Sequence, residues 1–133
     1  MRVNTEGYPV NVTKRFANIL EESINGTDIS IGEGVIVVFH DPSYSAETGG
    51  YHPVEVMING KGQIQYVTDL AYVGPPPYAE LEKELDFDFS LGLFQQMGLE
   101  YPIQAGKPMF RIWQANFCEY HRSGVYEVSV TPC

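Results

Sequence analysis

The sequence predicts an α+β fold, an antiparallel sheet with one helix near the N-terminus and one near the C-terminus packed on it. Three observations carry that prediction. Apolar residues recur at helical spacing in two stretches, about residues 11–24 and 107–121. The run Val35-Ile36-Val37-Val38-Phe39 is unbroken, β-branched and of strand length. Two alternating segments flank Asn59-Gly60-Lys61-Gly62, whose Asn and Gly accept positive φ cheaply and so suit a hairpin turn. Strands joined by short turns, with helices to cover them, make an α+β arrangement. A chain of 133 residues has the size of one domain, 1–133. It can bury roughly two-thirds of the surface its unfolded form exposes, and needs no disulfide or metal to fold.

In chain order, Val12, Phe16, Ile19, Leu20 and Ile24 share a helical face, with Asn11 as N-cap, Asn25-Gly26 as stop, and Glu21 and Glu22 on the wet side. The 35–39 run reads as a central strand covered on both faces. Residues 41–53 form an irregular loop. Val54, Val56 and Ile58 alternate with Glu55 and Met57 as a half-buried strand, and Ile64 to Val73 returns beside it across the turn. Gly74-Pro75-Pro76-Pro77 breaks the sheet as a short stiff connector.

The next segment sends two signals. Glu80, Glu82, Glu84, Asp86 and Asp88 fall at every second position, the repeat of a strand, and would line five carboxylates along one face. Yet residues 78–85 are strong helix formers, and Tyr78, Leu81 and Leu85 would share a helical face. The expectation is a helical turn or two over 78–85, then a short strand over 86–89, with only the later acids in a row. Residues 91–103 show no clean period. Phe110, Trp113, Gln114, Phe117, Tyr120 and His121 fit a helix of about 107–121, with Pro108 in its tolerant first turn and Gly124 at its end. Val125 to Thr131 closes the chain as a strand with Tyr126, Val128 and Val130 on one face.

Charge narrows the function. The formal net charge is −9 and the pI about 4.6. Binding nucleic acid through phosphate needs clustered Lys and Arg, which are lacking, and anionic membranes would repel the chain. Hydrophobic content of 44% is too high for a disordered acidic tail. Nine Tyr and seven Phe favour strands and a packed core. Two cysteines, Cys118 and Cys133, make no disulfide framework and read as free thiols in a reducing cytosol. Residues 1–16 carry no apolar core of signal-peptide length, and no apolar run approaches 18 residues, so the expected location is cytoplasmic.

Two places could carry chemistry. His40, Asp41, His52 and Glu55 lie near the two ends of the 41–53 loop, and paired flanking strands would gather them into a metal or acid–base site. The plainer reading is that Asp41-Pro42 and Gly49-Gly50 make turns while Tyr44 and Tyr51 pack. Ser43 and Ser45 with Asp41 and His52 resemble triad components, but no G-x-S-x-G elbow presents either serine. Cys118 and His121 share a helical face, though two ligands are not a site. No dense metal or catalytic spacing is present, so no catalytic residue, metal or cofactor is assigned. The second place is the acidic row, which serves as an electrostatic docking face, a loose cation site, a polyanion mimic, or only as charge that keeps a sheet edge soluble.

Several motifs carry a resemblance. Asp41-Pro42-Ser43-Tyr44-Ser45-Ala46-Glu47 and Gly49-Gly50-Tyr51-His52-Pro53-Val54-Glu55 resemble the signature of a bacterial, mostly gammaproteobacterial, domain-of-unknown-function family, some of whose members lie on mobile or pathogenicity islands. Thr68-Asp69, Pro77-Tyr78, Asp86-Phe87-Asp88-Phe89, Trp113-Gln114-x-Asn116-Phe117 and Gly124-Val125-Tyr126 extend the likeness over nearly the whole chain. The resemblance implies no assigned activity. It implies a strongly twisted antiparallel sheet flanked by helices, like that of the mitochondrial acidic matrix protein also known as a complement-binding receptor. Such proteins are acidic ring-shaped trimers that bind many partners.

The resulting expectation is a non-enzymatic acidic binding protein for a protein partner with a basic surface, with no direct binding of nucleic-acid phosphates or membrane, and with oligomerisation (a trimer by analogy) in view. Its binding candidates are Asp41, Tyr44, Glu47, His52 and Glu55 in and beside the loop, and Glu80, Glu82, Glu84, Asp86 and Asp88 in the acidic row. The alternatives are a metal-dependent or hydrolytic enzyme centred on residues 40–55, and a nucleic-acid mimic.

Overall fold

Thr13, rather than Asn11, caps the first helix: its hydroxyl accepts the Phe16 amide at 3.2 Å, and α1 runs Lys14–Asn25. In this computed structural model, which describes residues 1–75 and 77–133, Asn11 is engaged elsewhere. The Gln114 side chain, on helix α2 (Lys107–Arg122), accepts the Thr13 amide and donates to the Asn11 carbonyl, both at 2.9 Å. That fork holds the entering chain extended until Thr13. The helix stops where predicted, with the Gly26 amide closing on the Glu22 carbonyl at 3.0 Å. Of the predicted proline connector, Pro76 lies outside the described residues.

Seven strands follow: β1 (Gly34–His40), β2 (Val54–Asn59), β3 (Ile64–Val73), β4 (Glu80–Asp88), β5 (Leu93–Gln96), β6 (Leu99–Pro102) and β7 (Glu127–Pro132). They form one sheet in the order β6-β5-β4-β3-β2-β1-β7, and every neighbouring pair is antiparallel. The predicted hairpin turn between β2 and β3 is held by Asn59, whose Oδ1 accepts the amides of Lys61 and Gln63 at 3.0 Å. Among the described residues, no helix is long and apolar enough to cross a membrane.

Both helices pack on one face of the sheet. Phe16 of α1 meets Phe110, Trp113 and Phe117 of α2 edge-on, and those rings rest on Phe39 of β1 and Phe87 of β4. Removing these rings and the aliphatic core around them from water stabilises the fold by roughly 25 cal/mol per Å² of apolar surface. Among the described residues, no helix covers the other face. Val35, Val37 and Phe39 are fully buried, but Ile36 and Val38 are only partly so. The expectation of a strand covered on both faces is therefore corrected: β-branching in this run serves the pleat rather than a second layer.

The acidic segment is also corrected. Residues 80–88 form one strand, and the predicted helical turns over 78–85 do not exist there. Pairing with β3 along its whole length, and with β5 at its far end, overrides local helix propensity. The strand carries a bulge. The register passes from Leu85 opposite Asp69 to Lys83 opposite Leu70, leaving Glu84 as the extra residue.

The β5–β6 hairpin had no readable signal. Its turn uses Met97 at φ 49° and Gly98 at φ 84°, where Asn-Gly would have announced it. A short 3₁₀ turn, Ile103–Gly106, then leads into α2. Gly106 is required by proximity: a Cβ there would stand 2.7 Å from Cγ of Phe94. At the other end of the sheet, Tyr126 stacks on Phe117 with centroids 5.4 Å apart, and Val130 is buried, as predicted for the closing strand.

Candidate functional site

The 41–53 loop is shaped by a buried carboxylate. Asp41 Oδ1 accepts the Ser43 amide at 2.9 Å and the Ser43 hydroxyl at 2.7 Å, and its Oδ2 accepts the Tyr51 amide at 3.0 Å. These donors, the Tyr51 amide foremost, hold the Asp41 carboxyl below the usual carboxylate range. Gly50, at φ 137°, lets the chain pass: an added Cβ would lie 3.0 Å from both Asp41 Oδ2 and Tyr44 Cα. Asp41 is thus a loop clamp rather than an open ligand. Tyr44 stacks on Tyr72 at 5.2 Å, and its hydroxyl accepts the Tyr72 amide at 2.9 Å. Glu47 sits exposed in the turn closed by Ser45 and Gly49.

The clamped loop delivers His52 to the helix-covered side of the sheet. Its Nδ1 lies 2.8 Å from Asp69 Oδ1 on β3 and 2.8 Å from Glu84 Oε2 on β4. Trp113 of α2 donates its indole N–H to the other oxygen of Asp69 at 2.8 Å. The three residues border a cleft of about 380 Å³, whose aromatic walls include Trp113, Tyr51 and Tyr120, the last two with centroids 4.6 Å apart. His52, Asp69 and Glu84 each offer one ligand atom, and those atoms lie within 4.8 Å of one another.

The bulge explains why Glu84 is here. As the extra residue on β4 it leaves the line of Asp86 and Asp88 and turns to the cleft beside Leu85. Past the bulge the alternation slips by one. Lys83 then joins Asp86 at 3.4 Å, and exposed Glu80 and Glu82 fall out of line with the later acids. The five-carboxylate row is therefore split.

Asp86 and Asp88 lie on the helix-free face with Glu55. Thr68 donates to Asp86 at 2.7 Å, Ser90 to Asp88 at 2.6 Å, and Tyr66 to Glu55 at 2.5 Å. Burial, with Glu55 adding to it, pushes the Tyr66 phenol far up, so it stays a donor. Hydroxyl donors hold these carboxylates in place without cancelling their charge.

The predicted gathering of His40, Asp41, His52 and Glu55 does not occur. His40 is exposed at the end of β1, Asp41 is buried in its loop, and Glu55 points to the face opposite His52. Nor is there a triad: Ser43 bonds Asp41 and Ser45 bonds Thr48, neither reaching His52. Cys118 is buried among core residues and Cys133 is exposed, both as free thiols. Sequence reasoning did not select Asp69 and Trp113 as site residues. The available signals were an acid inside an otherwise apolar-alternating strand and the single tryptophan of the chain.

Comparison with known proteins agrees with the architecture. A family model described as a protein of unknown function, DUF2787, matches residues 14–131. A solved structure of a hypothetical protein from the VSP-II pathogenicity island of Vibrio cholerae is 34% identical, with TM-score 0.83 over 96% of this chain and 99% of that one. A conserved hypothetical protein from pathogenicity island VPI-2 of Vibrio cholerae is 32% identical, with TM-score 0.81 over 95% of this chain and 98% of that one, and is described as sharing structural homology with the human P32 protein. No curated protein matches the chain.

Proposed function

Starting from the fact that the chain belongs to the DUF2787 family of proteins of unknown function, which supplies no activity, we propose that it is a non-enzymatic binding protein whose helix-free sheet face receives a protein partner with a basic surface. One observation carries this reading. Glu55 and Asp88 stand half-buried on that face, held by the Tyr66 and Ser90 hydroxyls and the Leu91 amide with no cation beside them among the described residues, around a buried Asp86 that Thr68 and Lys83 hold. A net charge of −9 adds to the field around them. Fixed charge of predominantly one sign steers an oppositely charged partner and repels phosphate backbones. It also repels the same face of a second copy.

The test is a fluorescence titration of the 133-residue chain with a labelled decalysine peptide. Affinity should fall at least about tenfold between 50 and 300 mM salt, because charges at the protein surface are screened over about 10 Å at 0.1 M. It should fall comparably when Glu55, Asp86 and Asp88 are replaced by Gln, Asn and Asn. Equal affinity of that triple variant, or no salt dependence, would overturn the reading.

A further inference from the structure

We propose that His52 Nδ1, Asp69 Oδ1 and Glu84 Oε2 form a three-ligand site for a divalent transition metal of the zinc class, with its remaining position open to the aromatic cleft. His52 Nδ1 stands 2.8 Å from each carboxylate oxygen but carries at most one proton. One proton cannot serve both oxygens, and Glu84 Oε2, though buried, is left with no hydrogen-bond partner among the described residues. A buried carboxylate oxygen without a donor is costly, and a shared cation in place of the single proton would satisfy all three atoms at once.

A second observation is independent of the first. Trp113 donates to Asp69 Oδ2, which fixes that carboxylate and leaves Oδ1 aimed at His52 and Glu84. Outer hydrogen bonds of this kind orient metal ligands. The donor set selects the metal: one imidazole nitrogen with two carboxylates suits zinc, whereas calcium and magnesium prefer oxygen alone. A metal at about 2.1 Å from each donor spaces tetrahedral ligands about 3.4 Å apart. The observed 2.8 Å separations must therefore open by about half an ångström. The His52 and Glu84 side chains, each 35% exposed, have the freedom to do so while Asp69 stays tied. Three protein ligands leave one position for water or for a donor group of a molecule in the cleft.

The experiment uses the 133-residue chain stripped with chelator, titrated with zinc alone by calorimetry, with bound metal counted by elemental analysis. The expected result is one zinc per chain, with magnesium and calcium failing to compete. His52→Gln and Glu84→Gln should each abolish stoichiometric uptake. Trp113→Phe should weaken it about tenfold, and Glu82→Gln should leave it unchanged. Thermal melting gives a second readout, since zinc should raise the midpoint of the parent and not of folded Glu84→Gln. If circular dichroism shows that Glu84→Gln does not fold, His52→Gln on the loop decides the matter. No zinc uptake by the parent, or full uptake by a folded His52→Gln or Glu84→Gln, overturns the proposal. The acidic-face variants at Glu55, Asp86 and Asp88 leave this site intact, so its failure is separable from failure of that reading.

Discussion

Trp113 and Asp69 are joined by a 2.8 Å hydrogen bond that ties the second helix to the middle of the sheet. Asp69 lies at the point where β3 meets the bulge of β4, so this one bond sets both the helix position and the carboxylate that faces His52.

Replacing Trp113 by Phe keeps most of the ring contact and removes the donor. The largely buried Asp69 carboxylate then loses a partner, and stability should fall by about 1–3 kcal/mol. Trp113→Ala, which also vacates the space beside Phe16 and Phe117, should cost about 3–5 kcal/mol. Urea unfolding followed by far-ultraviolet circular dichroism measures both.

Two glycines should respond differently to alanine. Gly106→Ala drives a Cβ into the root of the Phe94 ring, 2.7 Å from Cγ and 2.9 Å from Cδ1, and should cost about 1–3 kcal/mol. Gly98→Ala meets no atom within 4 Å and suffers only its positive φ, a cost of about 1 kcal/mol. Comparison of urea midpoints checks the order. A larger loss at Gly98 would contradict the packing described at the start of α2.

Acid should destabilise the fold in two windows. Burial holds the His121 imidazole below its ordinary value. Its contribution is complete above about pH 6.5, the unfolded value, and declines as pH falls through the lowered folded one. Asp41 is depressed too, by the Tyr51 amide and the Ser43 donors, so its contribution is present above about pH 4 and lost below it. Asp41→Asn should shrink the lower window, leaving the part due to Glu119, whose carboxyl Arg15 and Arg122 also hold down, and leave the upper one unchanged, as read from chemical denaturation between pH 3 and 8.

Thr68 and Asp86 form a buried pair on the helix-free face. Thr68→Val removes the only short hydrogen-bond donor to that carboxylate among the described residues, leaving Lys83 at 3.4 Å, and should cost about 1–3 kcal/mol. Adding Asp86→Leu should recover most of the loss, because replacing both partners by apolar groups is nearly neutral. A double-mutant cycle measures the coupling.

Much of the fold was legible because period and turn chemistry agree with the tertiary arrangement. Val12 to Ile24, the Asn59–Gly62 turn and the Phe110–Phe117 stripe each say locally what the packing says globally. Residues 78–85 failed because helix propensity is a weak prior beside the long β3 strand that residues 80–85 pair with. The Met97-Gly98 turn failed because Met is an unusual occupant of positive φ. The site was half legible. His52 and Glu84 were both candidates, but in separate sets, since a bulge is a property of pairing between strands and leaves no mark in one strand alone. Asp69 joins them only once β3 and β4 are in register.

The outer edge of β1 has its own consequence, for the order of events in folding. Val35, Val37 and Phe39 lack a neighbour on that side until residues 127–132 arrive from the far end of the sequence. Closure over so long a span is entropically late and slow. Until then β1 presents bare backbone and apolar side chains, a template for self-association. A chain interrupted before β7 should therefore be lost to precipitation rather than persist as a smaller folded body.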